Sequence, residues 1–224
     1  MSLIYLLRHG QAGLRSNYDT LSETGVEQSR LLGEWLRGGA AFEHVMAGGL
    51  RRQQETARLA GYEFEVDAGW SEFDLDAVYR EVAPQIAAVD EAFRAEYEGL
   101  LRDVADDEHP VHRKWTRGDV LVVRAWIEGT VAVRETETFV EFRERVTAAF
   151  GRVREREGNV AVFTSATPIA LALAGVLGVG SGQAMRLAGA LVNASCTVVR
   201  AGSEPSLFGF NHAGHLPAGM QTFR

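Results

Sequence analysis

A chain of 224 residues with a single cysteine, Cys196, forms no intrachain disulfide. That excludes the small disulfide-stapled scaffolds and fits a reducing compartment. Prolines number only five, and no segment is repeated or of low complexity, which excludes collagen-like and disordered chains. Long hydrophobic runs are missing too. The most apolar stretch, Ala166 to Gly180, holds Pro168 and three glycines and falls short of the ~20 apolar residues of a membrane span. The opening run Leu3 to Leu7 is too short for a signal-peptide core, and no basic region precedes it. A basic surplus is also lacking. The chain has 23 Lys and Arg against 30 Asp and Glu, for a net charge of −7, where a nucleic-acid binder usually shows a basic face. Short clusters such as Arg51-Arg52 and Arg113-Lys114 still leave room for a small anionic ligand. These absences predict a cytoplasmic protein whose partners include neither membrane nor nucleic acid.

What is present is ordinary for a folded globule: 46% hydrophobic and 24% charged residues. A chain this long buries roughly 70% of its unfolded surface, so it needs no metal or disulfide to fold. Leu3 to Leu7 is a short apolar run that suits a buried parallel strand, ending in Arg8-His9-Gly10. Ser22 is placed to cap a helix running to about Arg37, with Leu31, Leu32, Trp35 and Leu36 on its apolar side. A strand at His44 to Met46, a helix from Leu50 to Ala60 and a strand from Tyr62 to Val66 continue the alternation. Ala77 to Ala105 reads as helical, and Val104 to Gly118, which carries His109 and His112, as an exposed charged turn. A helix follows over about Thr138 to Glu157. Asn159 to Phe163 is again a strand, and Pro168 is read as the first residue of a helix capped by Thr167. Ser195 to Arg200 and Ser206 to Phe210 suit a late hairpin. Strands alternating with helices predict an α/β fold, a three-layer α/β/α sandwich with a mostly parallel sheet. The simplest organisation is one domain over 1–224 with a helical insertion at about 77–118.

His9 follows a strand, and ligands of open α/β sheets bind at the carboxyl ends of strands. Beside it, Arg8 offers a planar fork suited to phosphate, and Gly10 lets backbone come close to a ligand. A histidine so placed is either a nucleophile toward phosphorus or a structural strand-end residue. Read alone, Arg52 is a surface arginine on a charged helix and Glu72 a solvated loop carboxylate. His212 and His215 form a His-x-x-His with no evident third ligand, so no metal site is expected.

The ordered set says more than any one piece. Arg8-His9-Gly10-Gln11, Leu21-Ser22 with Gly25 and Gln28, Leu50-x-Arg52-x-x-x-Thr56-Ala57, Glu72 in Trp70-Ser-Glu-Phe73, Glu137 before an Arg-rich helix, and the closing Asn211-His-Ala-Gly-His215-Leu216 together resemble the histidine phosphatase superfamily, the group that includes phosphoglycerate mutases. The resemblance implies that His9 is the nucleophile that becomes phosphorylated and that Arg8 and Arg52 clamp the phosphoryl oxygens. It implies that Glu72 is the general acid and then the base, that the insertion caps the site, and that no metal or organic cofactor takes part. The substrate would be a small phosphorylated molecule. One departure stands out. Where the family usually has a second histidine after the strand Asn159 to Phe163, this chain has Ser165, within Thr164-Ser-Ala-Thr-Pro168. A serine donates one hydrogen bond but carries no charge, although it stands at a helix N-terminus that favours anions. Ser165 is therefore expected to bind phosphate. The resemblance leaves three activities open. First is a phosphomonoester hydrolase working through phospho-His9; second, a phosphate-binding member with weakened or lost catalysis; third, a mutase-like phosphotransferase. Substrate-loop segments of the mutases are not recognisable here, which ranks the hydrolase first.

Overall fold

The structure, a computed structural model, describes residues 2–223. In chain order its elements are β1 (Leu3–Arg8), α1 (Glu23–Gly39), β2 (His44–Ala47), α2 (Arg51–Leu59), β3 (Glu65–Val66), α3 (Leu75–Val89), α4 (Glu91–Asp103), α5 (Arg117–Glu128), α6 (Phe139–Arg154), β4 (Val160–Thr164), α7 (Ala166–Leu177), α8 (Ser181–Ala190), β5 (Cys196–Arg200) and β6 (Ser206–His212). The contacts divide the chain into two compact units. One comprises Met1–Gly13, Tyr18–Glu72 and Arg145–Arg224; the other comprises Leu14–Asn17 and Phe73–Glu144.

All strands among the described residues lie in the first unit, in one sheet of order β3-β2-β4-β1-β5-β6. β1, β2, β3 and β4 run parallel, and β5 runs antiparallel to both β1 and β6. Alternation along the strands makes two cores. Ile4, Leu6, Val160 and Val162 pack with Phe150 and Val153 of α6 and Ile169 and Leu173 of α7. The intervening Leu7, Ala161 and Phe163 pack on the other side with Leu32 and Leu36 of α1 and Ala57 of α2. Successive strand residues point to opposite faces, so helices on both sides produce a three-layer α/β/α sandwich with a mixed, mostly parallel sheet. Each fully buried Leu, Ile, Val or Phe contributes about 1.5–3 kcal/mol, and all five residues of β4 are buried.

The chain leaves β1 toward β2 and leaves β4 toward β5, in opposite directions along the sheet. A crevice opens at such a switch point, beyond the carboxyl ends of the two strands. Arg8 and Thr164 are paired in register there, so His9 and Ser165 emerge side by side. The loop after β1 is held against α1 by two glycines. A Cβ on Gly25 would lie 2.1 Å from the Gln11 carbonyl oxygen, and one on Gly10 would lie 2.3 Å from that of Gly25. Ser22 caps α1 as expected, its hydroxyl accepting from the Gly25 N–H.

The second unit is helical. The expected insertion at about 77–118 is two helices broken at Asp90, which caps α4, followed by α5. Its centre is a buried carboxylate. Asp119 accepts from both terminal nitrogens of Arg15, from the Tyr79 hydroxyl and from Thr116. Burial pushes the Asp119 carboxyl up, but the Arg15 bonds and charge outweigh it and hold the group below the usual carboxylate range. His112, expected on the surface, is buried and accepts from the Arg15 N–H at Nδ1. An aromatic cluster of Phe73, Trp126, Phe139 and Phe142 completes this core.

Candidate active site

His9 continues β1 by one residue. Its N–H donates to Thr164 O at 2.9 Å, and its carbonyl accepts from Ala194 N at 3.1 Å, so its backbone is fixed on two sides. The ring is buried, 2% exposed. Nδ1 lies 2.7 Å from the Gly10 carbonyl oxygen, which only accepts. Arg52 Nε, which only donates, lies 3.2 Å from Nε2. The two partners fix the tautomer: the proton is on Nδ1 and the lone pair on Nε2. Burial first, then the charges of Arg52 and Arg8, hold the imidazole well below its ordinary pKa. The ring is a neutral base presenting Nε2.

Arg52 arrives from the first turn of α2. Its guanidinium is 3.1 Å from the Asp19 carboxylate and lies over the Tyr18 ring at 4.8 Å. Asp19 also accepts the N–H groups of Arg51 and Arg52, so one carboxylate both caps α2 and steadies the guanidinium. Arg8 is buried and donates to the carbonyl oxygens of Leu191 and, at 2.9 Å, Phe223. Its charge is felt at His9 while its terminal nitrogens tie down the segments before β5 and near the end of the chain.

Ser165 is the N-cap residue of α7 and is 1% exposed. The helix thus begins at Ala166, two residues before the expected Pro168, and Ser165 rather than Thr167 is the cap. Extended φ and ψ of −122° and 172° at Ser165 set the start; proline fits the first turn because those N–H groups have no helical partner. The Ser165 hydroxyl makes no capping bond to its own helix. It accepts instead from Gln53 Nε2 at 2.8 Å. Glu72 reaches the same helix end, its Oε2 accepting from Thr167 N at 3.1 Å. The turn before Glu72 is clamped: Arg145 donates to the carbonyls of Ala68, Gly69 and Ser71, and Thr164 Oγ1 to that of Trp70 at 2.5 Å. Trp70 itself is turned into the core against Phe150.

His9 and Arg52 are thus in direct contact, and Ser165 and Glu72 meet at the first turn of α7. His212 and His215 are not part of this group; both rings stack on Trp35 of α1, at 4.7 and 5.1 Å. Among the described residues, no three His, Cys, Asp or Glu side chains are grouped to hold a metal ion. Sequence reasoning missed Gln53, Asp19 and Tyr18. Gln53, next to Arg52 in a helix's first turn, was the one with a local signal, since adjacent positions there serve adjacent parts of a site.

The sequence profile of the Histidine phosphatase superfamily (branch 1) matches residues 4–207. No curated protein matches the chain. Among solved structures it is similar to a mycobacterial glucosyl-3-phosphoglycerate phosphatase in complex with VO3, with 21% identity, coverage of 94% of this chain and 99% of that one, and a TM-score of 0.61. It is similar to the alpha-ribazole phosphatase from Shigella flexneri, with 17% identity, 94% and 96% coverage and a TM-score of 0.60. It is also similar to the phosphoserine phosphatase from Entamoeba histolytica in complex with 3-phosphoglyceric acid, with 16% identity, 97% and 100% coverage and a TM-score of 0.55. At these identities the likeness is one of fold.

Proposed function

This chain belongs to the histidine phosphatase superfamily, and from that membership we propose that it hydrolyses small phosphomonoesters through a phosphohistidine at His9. The observation that carries the reading is the buried, neutral His9 ring, with its proton held on Nδ1 by Gly10 and its Nε2 lone pair turned toward Arg52. In the first step Arg52 Nε releases its hydrogen bond to His9, the freed Nε2 lone pair attacks phosphorus, and the bond from phosphorus to the ester oxygen breaks. Glu72 gives its proton to the departing alkoxide. In the second step Glu72 takes a proton from water, the hydroxide attacks the phosphohistidine, and the N–P bond breaks to return His9 and inorganic phosphate. Arg8 and Arg52 supply positive charge near the equatorial oxygens, and the Ser165 hydroxyl supplies a neutral donor at the N-terminus of α7. Binding phosphate by Arg52 requires its guanidinium to exchange part of its contact with Asp19. No metal or organic cofactor enters these steps.

Small phosphorylated substrates are supported by the phosphoserine phosphatase complex with 3-phosphoglyceric acid. The helical segment at about 77–118 is assigned the role of a cap that selects among them, within one functional domain, and the lone cysteine supports a cytoplasmic setting. A second reading, a phosphate-binding protein without turnover, is favoured by one observation: the neutral Ser165 at a position the family fills with a cation. Initial rates on p-nitrophenyl phosphate near pH 6 separate the two. A rate above background that vanishes in His9→Ala is expected. Equal rates in the two proteins over a panel of phosphomonoesters would leave the binding reading.

A further inference from the structure

Gln53 is fully buried and no step above uses it. Its amide orientation is fixed by its surroundings. Oε1 lies 3.2 Å from the Leu50 N–H, a pure donor. Nε2 lies 3.2 Å from the Trp70 carbonyl oxygen, a pure acceptor, and 2.8 Å from Ser165 Oγ. Any flip would set oxygen against oxygen at Trp70 and N–H against N–H at Leu50. The room for this amide comes from Gly48, where a Cβ would stand 2.1 Å from Gln53 Oε1. Both Nε2 protons are therefore donated, one to Trp70 and one to Ser165. A hydroxyl that accepts one bond keeps a single proton to give, and Gln53 Nε2, a pure donor, cannot take it.

We infer that Gln53 is a positioning residue that holds the Ser165 hydroxyl as a hydrogen-bond donor to the phosphoryl group transferred at His9. This rests on the proposed phosphatase reading. Adjacent residues of one helical turn then serve the two sides of the site. Arg52 goes to the nucleophile and Gln53 to the residue at the start of α7. A neutral amide–hydroxyl pair replaces a cation, and its donor is oriented before substrate arrives, which is where such groups gain their effect. The same amide ties Ser165 to the Trp70 carbonyl, two residues before Glu72, so the donor and the proposed acid are set from one point.

The test is a double-mutant cycle on the intact protein with Gln53→Glu, Ser165→Ala and the pair, read as kcat, KM and pH profile on p-nitrophenyl phosphate. An ionised carboxylate at position 53 accepts the Ser165 proton and turns the donor away. Expected for Gln53→Glu is a kcat lower by roughly 10²-fold, the typical loss of one preorganised donor, with KM changed far less. Its kcat should recover as pH falls and the introduced carboxyl protonates, becoming a donor again. Ser165→Ala should lose a similar factor, and Gln53→Glu should add nothing in its background. Multiplying losses, or a Gln53→Glu profile parallel to that of the wild type, would overturn the inference. If Gln53→Glu does not fold, Ser165→Ala against Ser165→Thr decides. A large kcat loss in the first and a small one in the second is expected, and unchanged kcat in Ser165→Ala overturns it. Failure of the phosphatase reading looks different: the wild type and His9→Ala are then equally silent.

Discussion

His9 makes two demands on its surroundings, one for chemistry and one for folding. A neutral imidazole between Arg8 and Arg52 keeps its lone pair at acidic pH, because burial and the two cations oppose protonation. The unfolded chain takes up that proton near pH 6.5. Below this value the unfolded state binds a proton the folded state refuses, so stability falls as pH falls, by about 1.4 kcal/mol per pH unit for each such group. The contribution is complete above pH 6.5 and is lost downward toward the depressed folded value. His215, lowered to about 4 by burial and by His212, acts with the same sign from pH 6.5 to about 4. Urea midpoints should be lower at pH 5 than at pH 7, and His9→Ala should narrow that gap. An equal gap in the variant would mean His9 titrates alike in both states.

At the scale of elements, the loop carrying His9 is placed by the approach of β1's end to α1. Gly25→Ala must move backbone, since the Gln11 oxygen stands at 2.1 Å from the new carbon. Overpacking of this kind costs about 1–3 kcal/mol. A lower melting temperature together with reduced phosphatase rate is expected; unchanged values would mean the loop relaxes freely. Elements with strong local grammar were legible in the sequence: β1, the Ser22-capped α1, α2, β4 and the β5–β6 hairpin. Others were not. α8 lies between Gly180 and Leu191 with little apolar periodicity, and β3 shrinks to Glu65–Val66 because only those residues pair with β2. α5 was hidden by Val120, Val122 and Val123, although the Thr116–Asp119 capping box announced it. Of the candidate site, the motifs single out Arg8, His9, Arg52, Glu72 and Ser165, and the structure sets His9 against Arg52 and brings Glu72 and Ser165 to the start of α7. The bonds of Arg8 to Leu191 and Phe223 could not, because its partners are 183 and 215 positions away and nothing local encodes them.

For the molecule as a whole, the net charge of −7 means that the overall field does not draw in an anionic ligand, so the attraction the proposed function needs has to be local. No described helix is long and apolar enough to cross a membrane. The lone cysteine adds something of practical use. Cys196 is wholly buried in β5, opposite Leu7 of β1, and burial pushes its thiol up to about 12. Only a thiolate alkylates readily, so at pH 7.5 iodoacetamide should leave the folded protein unlabelled while modifying it quickly in urea. Rapid labelling without urea would show that β5 opens locally. The chain therefore carries its own clock for opening of the sheet beside His9. Any ligand that binds only the closed form slows that clock by 1 + [L]/Kd, about 100-fold at a hundred times its Kd. Under the proposed reading, candidate phosphate esters can thus be ranked by mass spectrometry on His9→Ala, which is expected to bind substrate without turning it over.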